Sequence, residues 1–221
     1  MTITARVTIR QATPDDVDAL ADVLAEAFHD SAVAGWLIPD PTDRPTIYHR
    51  YFTAVLAHGL KHGHVDTVAD RSAVAVWYPR LRPPPPPAPT HQASLAEATG
   101  RYGPLFALME ALFEVGHPDT PHHHLAHLAV RPVRQGRGLG TALLDHHHRR
   151  LDAQGVAAYV ATTSPRRGFY QRLGYHTCPP LTLPDGPAVW RMWRPGPAGL
   201  PAAFPSTVFP PVDCFSEDPI R

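Results

Sequence analysis

Lysine is almost missing from this chain. Lys61 is the only one among 20 basic residues, so arginine carries nearly all the positive charge. A P-loop requires a Gly-Lys-Ser/Thr step, and Lys61 stands in no such context, which excludes that way of holding a nucleotide. Cysteine is nearly as scarce. Cys178 and Cys214 fit no zinc or disulfide pattern and read as free thiols of a reducing compartment. Net charge is also lacking, since the 20 basic residues are balanced by 20 acidic ones. No overall field therefore draws the chain toward nucleic acid or an acidic membrane surface. No stretch approaches the ~18 apolar residues of a membrane span, and "MTITARVTIRQ" has no apolar core of signal-peptide length. The expectation is a cytoplasmic protein whose partners include neither nucleic acid nor membrane.

Proline and histidine are plentiful instead, at 27 and 15 residues of 221. A bias this broad means that no single histidine is functional merely by being present. The length suits one medium domain able to bury a full core.

"ARVTIRQA" alternates apolar and polar residues as a strand does. "TPDDVDALADVLAEAFHD" follows as a helix, with Thr13 at its cap and a stripe of Val17, Leu20, Val23, Leu24 and Phe28. "SAVAGWLIPDPTDRP" reads as a loop and "TIYHRYFTAVLAHGLKHG" as a second helix ending at Gly63. "HVDTVAD" and "SAVAVWYP" form a hairpin around Asp70 and Arg71. A proline-rich loop at 82–90 precedes a helical insertion at 91–116. "HHLAHLAV" is a strand, "GLGTALLDHHHRRLDAQG" a helix, "VAAYVATT" a buried strand and "PRRGFYQRLGY" a short helix. "LTLPDGPAVWRMW" closes the domain as a hairpin at Asp185 and Gly186. Residues 1–195 thus form a single mixed α/β domain, and 196–221 a proline-rich tail.

The stretch that carries chemistry is "LAVRPVRQGRGLGTALL". Glycines opening a helix expose backbone N–H groups beside the positive end of the helix dipole, which suits phosphate. A dinucleotide fingerprint would need G-x-G-x-x-G directly after its strand. Here Gly136, Gly138 and Gly140 are spaced G-x-G-x-G, "RPVRQ" separates them from the strand, and Thr141 stands in place of the third glycine. The alternative pattern, Gln/Arg-x-x-Gly-x-Gly/Ala, is filled by Gln135, Gly136, Arg137, Gly138, Leu139 and Gly140.

With "FYQRLGY" downstream, this pattern resembles the GCN5-related N-acetyltransferase (GNAT) superfamily. "VRPVRQGRGLGTALL", "TSPRRGFYQRLGY" and "PDGPAVWRMWRP" are similar to its puromycin N-acetyltransferase branch. The resemblance covers roughly residues 5–195 and implies a mostly antiparallel twisted sheet of about seven strands. In that fold helices flank the sheet, which splays between its fourth and fifth strands.

It also implies acetyl-CoA as donor and the amine of a small molecule as acceptor, with an amine-bearing antibiotic or aminonucleoside as one class. Backbone amides from Gly136 to Gly140 and Thr141 would hold the pyrophosphate, with charge from Arg134 and Arg137. The backbone of Leu128, Ala129 and Val130 would pair with the pantetheine arm. Tyr170 would be the general acid. His124, six residues before Val130, matches a position where relatives carry a base, and His127 is the second histidine of the same strand. Phe28, Asp30, Trp36, Tyr102 and Trp190 are candidate walls of the acceptor site.

The three histidines at 146–148 point about 100° apart on a helix, so they cannot converge on one ion, and no metal is expected. Two other readings remain: a catalytically silent acyl-CoA-binding regulatory module, and an enzyme acting on protein or peptide amines. A scaffold acting through the proline run is a third. A homodimer is left open.

Overall fold

The computed structural model describes residues 7–82 and 89–196. Most of the proline-rich loop and all but the first residue of the tail lie outside these residues. The sheet has eight strands in the order β1-β2-β3-β4-β5-β8-β6, with β7 also on β8. The strands are β1 (Ile9–Gln11), β2 (His64–Val68), β3 (Ala73–Arg80), β4 (His122–Val130), β5 (Ala157–Thr163), β6 (His176–Thr177), β7 (Leu181–Thr182) and β8 (Ala188–Arg194). Every neighbouring pair is antiparallel except β4 and β5, which run parallel.

β6 and β7 both pair with β8, at Met192–Trp193 and at Ala188–Val189. They are two pieces of one outer strand, broken where Pro179 and Pro180 remove consecutive N–H donors. Read as one interrupted strand, they bring the count to the expected seven.

Among the described residues seven α-helices flank the sheet: α1 (Val17–Phe28), α2 (Ala32–Leu37), α3 (Arg44–His62), α4 (Pro89–Thr99), α5 (Gly103–Val115), α6 (Leu139–Gln154) and α7 (Arg167–Gln171). β3 shows how the two faces are filled. Val74 and Val76 join Leu20, Leu24, Phe52 and Leu56 of α1 and α3, whereas Ala73, Ala75 and Trp77 join Leu143, Leu144 and Leu151 of α6. Helix α1 begins where Asp16 accepts two hydrogen bonds from the Arg10 guanidinium, at 2.6 and 2.8 Å, and one from the Thr13 N–H at 2.8 Å.

One segment departs from expectation. "SAVAGWL" is a helix, not a loop, because the Ser31 side chain caps it by accepting from the Ala34 N–H at 3.0 Å. Ala34 and Leu37 then face the core. The insertion is helical, and α4 starts at Pro89.

Candidate active site

β4 and β5 pair through only four residue pairs, from His122–Ala157 to Leu125–Val160. Beyond Leu125 the two strands separate, and Ala126–Val130 have no partner in β5. The divergence follows a bulge: opposite Val76 and Trp77 stand His127 and Leu125, which leaves Ala126 as an extra residue. A cavity of about 960 Å³ opens at this split. β4 residues line one wall and Val160 to Thr163 the other.

At one end the cavity meets the glycine turn. Gly136 and Gly138 have φ of +73° and +76°, a region that costs an L-residue ~1–2 kcal/mol and glycine nothing comparable. A Cβ placed on either glycine would meet no heavy atom within 4 Å, so the turn is an open cradle. Gly138 caps the 16-residue helix α6. The N–H groups of Gly136 to Gly138 have no backbone acceptor among the described residues, and those of Leu139 to Thr141 lie in the first turn, where none is available within the helix. The Gln135 side chain closes the turn by donating to the Val130 carbonyl at 3.0 Å. Arg134 is turned away onto Asp70 at 2.6 Å, and Arg137 is exposed without a protein partner among the described residues. A row of free N–H groups at a helix N-terminus, with no Cβ in front of it, fits a pyrophosphate. The side chains of Leu128 and Val130 pack toward α6 and that of Ala129 toward α1, so only their backbone is available to a ligand.

Tyr170, on α7, lines the same cavity. Its ring rests on Phe169 and Tyr175, and its hydroxyl makes no hydrogen bond to the described residues. Burial raises its pKa above the ordinary phenol value, so it stays protonated throughout the neutral range.

The two strand histidines lie where simple alternation would not put them. Across the bulge His124 and His127 point to the same face of the sheet, away from α6. His124 packs against His117 and Tyr159 and is outside the cavity lining. His127 is in the lining, edge-on to Phe52, Phe28 and Tyr51 with ring centroids at 5.3, 6.0 and 6.4 Å. Its nitrogens have no hydrogen-bond partner among the described residues. Burial pushes the imidazole down to about 4, leaving it neutral at pH 7.

The other end of the cavity is aromatic. Tyr48, Tyr51 and Phe52 of α3 and Phe106, Met109 and Phe113 of α5 form its walls together with Phe28. Of the expected wall residues, Phe28 and Asp30 line the cavity and three do not. Trp36 donates its indole N–H to the Pro184 carbonyl at 2.8 Å, Tyr102 donates to Asp43 at 2.6 Å, and Trp190 lies under the Arg167 guanidinium. The α3 and α5 aromatics carried no separate signal, because at helical spacing they read as core. Among the described residues no cluster of three or more His, Cys, Asp or Glu is arranged to hold a metal ion. His147 is a core residue, stacked on Trp77 at 4.2 Å and bonded to Asp66 at 3.3 Å.

Residues 107–177 match the family model described as the acetyltransferase (GNAT) domain. Among solved structures, one described as histone acetyltransferase HPA2 and related acetyltransferase from Corynebacterium glutamicum is 26% identical. It superposes with a TM-score of 0.64 over 89% of this chain and 99% of its own. The polyamine N-acetyltransferase of Drosophila melanogaster is 20% identical, with a TM-score of 0.52 over 85% and 98%. The PaiA N-acetyltransferase of Thermoplasma acidophilum, solved with coenzyme A, is 12% identical, with a TM-score of 0.52 over 86% and 98%. The two more distant likenesses speak to the fold alone. The chain has the GNAT fold, and residues 107–177, which include the glycine turn and Tyr170, match the acetyltransferase (GNAT) domain, for which acetyl-CoA is the acyl donor.

Proposed function

We propose that the chain transfers an acetyl group from acetyl-CoA to the amine of a small molecule. The observation that supports this is the continuity of one cavity. It runs from the open N–H cradle at α6, past the Tyr170 hydroxyl, to an aromatic end that holds a neutral His127, and neither side chain has a hydrogen-bond partner among the described residues. Bound at the cradle, acetyl-CoA supplies an acetyl group activated as a thioester. The backbone amides of Gly136 to Thr141 bind and orient it there, helped by the positive helix end. Arg137 is free to add charge, whereas Arg134 is committed to Asp70.

His127 brings a neutral imidazole to the aromatic end that can accept a hydrogen bond from the incoming amine, and we assign it the role expected of His124. Tyr170 Oη holds a proton that it can offer to the departing sulfur. The amine nitrogen forms a bond to the acetyl carbon, and the carbon–sulfur bond breaks with its electron pair on sulfur. One amine proton leaves for His127 or water, the sulfur takes the Tyr170 proton and ends as the free thiol, and the tyrosine regains a proton from water. The aromatic end suits a compact apolar acceptor, such as an amine-bearing antibiotic or aminonucleoside, and the likeness to the puromycin branch supports that class. It does not suit a basic peptide, which needs a broad acidic groove. A silent binding module is disfavoured because the tyrosine hydroxyl is left unengaged.

A thiol-release assay with acetyl-CoA and a panel of amines tests the proposal, with wild type run beside Tyr170→Phe. Turnover of one amine class, lowered in the variant, is expected. Absence of turnover with acetyl-CoA still bound would refute catalysis, and loss of that binding would refute the donor site.

A further inference from the structure

The aromatic end of the cleft is walled by α3, by α5 and by the end of α1, and its lining carboxylates, Glu26 and Asp30, stand only on the α1 side. Phe106, Met109 and Phe113 repeat at i, i+3 and i+7, so the inserted helix α5 turns one whole face into the cavity. Phe106 lies 4.8 Å from Tyr51 and 6.4 Å from Tyr48, ring centre to ring centre. Phe28 and Phe52 continue the wall, 5.5 Å apart.

The carboxylates of the cavity lining are Glu26 and Asp30, both from the α1 side, and each has a partner. Glu26 is 3.1 Å from Arg131, and Asp30, almost fully exposed, is 2.8 Å from His29. Around His127 the other titratable groups are the Tyr51 phenol, raised by burial, and the neutral His124 further along β4. Glu110 of α5, four residues on from Phe106 but outside the lining, acts electrostatically on Tyr51 and Tyr78, and burial raises its carboxyl above the usual range, toward the neutral form. The cations of the lining, Arg134, Arg166 and Arg172, belong to the donor side.

An alkylammonium carried in among the α3 and α5 rings would lose its water, and the lining carboxylates, Glu26 and Asp30, are already engaged with Arg131 and His29. Such a loss costs several kcal/mol per ion, more than the ~2 kcal/mol that ring faces return to a desolvated cation. His127, as a neutral imidazole, can receive a hydrogen bond from an uncharged amine but cannot counter a positive charge.

We infer that the acceptor is a weakly basic amine carried on an aromatic body, that the Phe106–Met109–Phe113 face of α5 selects that body, and that polyamines and simple alkylamines are poor acceptors. This rests on the acetyltransferase reading above. At pH 7 an α-amine of pKa about 7.8 is roughly 300-fold more neutral than an alkylamine of about 10.4.

The test compares kcat/KM at pH 7 for four probes: L-phenylalaninamide, L-alaninamide, phenethylamine and spermidine. Phenylalaninamide should exceed phenethylamine, which has the same ring and a stronger base, by at least 30-fold. It should exceed alaninamide, which lacks the ring, by a similar factor. Raising the pH should increase phenethylamine turnover about tenfold per unit while phenylalaninamide levels off near pH 8. Phe106→Ala should raise the phenylalaninamide KM about tenfold and leave acetyl-CoA binding unchanged. Preference for spermidine or phenethylamine at pH 7 would overturn this inference while leaving the acetyltransferase standing. An unaltered KM in Phe106→Ala would overturn the role of α5. Silence toward all four probes, with acetyl-CoA bound, would remove the acetyltransferase reading and this inference together.

Discussion

Acidification should unfold this protein well above the pH at which carboxylates titrate. His122, His123 and His148 are fully enclosed, and burial pushes their imidazoles down to about 4, 4 and 3. Each is hydrogen-bonded in its neutral form. His122 Nδ1 donates to the Thr120 carbonyl at 2.6 Å, His123 shares a bond with His147 at 3.1 Å, and His148 meets the Tyr175 hydroxyl at 2.9 Å. In the unfolded chain the same rings take protons below pH ~6.5. Above that pH they are neutral in both states and make no difference. As the pH falls from 6.5 toward 4 the unfolded state gains protons that the native state refuses, so stability falls throughout that window. Between pH 7 and pH 5 each ring costs about 1.5–2 kcal/mol. The figure is insensitive to the native pKa, since at pH 5 the native rings remain largely unprotonated. Three rings together remove roughly 5 kcal/mol, against a total stability of ~5–15 kcal/mol for a typical domain. Urea unfolding followed by circular dichroism at pH 7, 6 and 5 measures this directly. His148→Gln keeps a polar group toward Tyr175 and should remove one ring's share of that loss, about 1.5–2 kcal/mol between pH 7 and pH 5. A loss below ~1 kcal/mol between pH 7 and pH 5 would refute the argument.

Other expectations are independent of this one. Tyr170→Phe should lower kcat by ~10–100-fold, with the acetyl-CoA dissociation constant changed less than twofold, as read by thiol release and calorimetry. Gly138→Ala places a side chain in the left-handed region at φ +76° and should cost about 1 kcal/mol in urea unfolding. Because its Cβ would point into the open cradle, it should also weaken coenzyme A binding by more than its effect on stability explains. Asp16→Asn should destabilise by about 1 kcal/mol, since it weakens a part-buried, solvent-screened two-point bond to Arg10 and the Thr13 cap. That loss should vanish in strong acid, where the native carboxyl, held far below its usual range mainly by Arg10, is finally protonated.

The elements were legible wherever one residue period ran unbroken. The Leu20–Val23–Leu24 stripe of α1 points to a single face, the short apolar run of β3 reads as a strand buried on both faces, and the glycine turn announces itself by composition. The capped turn at Ser31 was hidden because "AVAGWL" is too short to show a period. The candidate site was less legible, and β4 explains why. Alternation along "HLAHLAV" assigns His124 and His127 to opposite faces, but Ala126 is looped out and brings them to one. An alanine in a bulge looks like any other alanine. Trp36 and Trp190 illustrate the opposite difficulty, since their partners, Pro184 and Arg167, lie at distances that spacing along the chain cannot reveal.

The interrupted outer strand has a consequence for life in a crowded solution. A sheet edge invites the strands of other molecules in proportion to the length of unpaired backbone it presents. Here one edge is two dipeptides separated by Pro179 and Pro180, and the other is the three residues Ile9–Gln11. Neither offers a register long enough to template an added strand. Growth of this sheet from one molecule to the next is therefore discouraged in the folded state, and cross-β association would have to wait until β3 or β5, the long apolar strands inside it, came free.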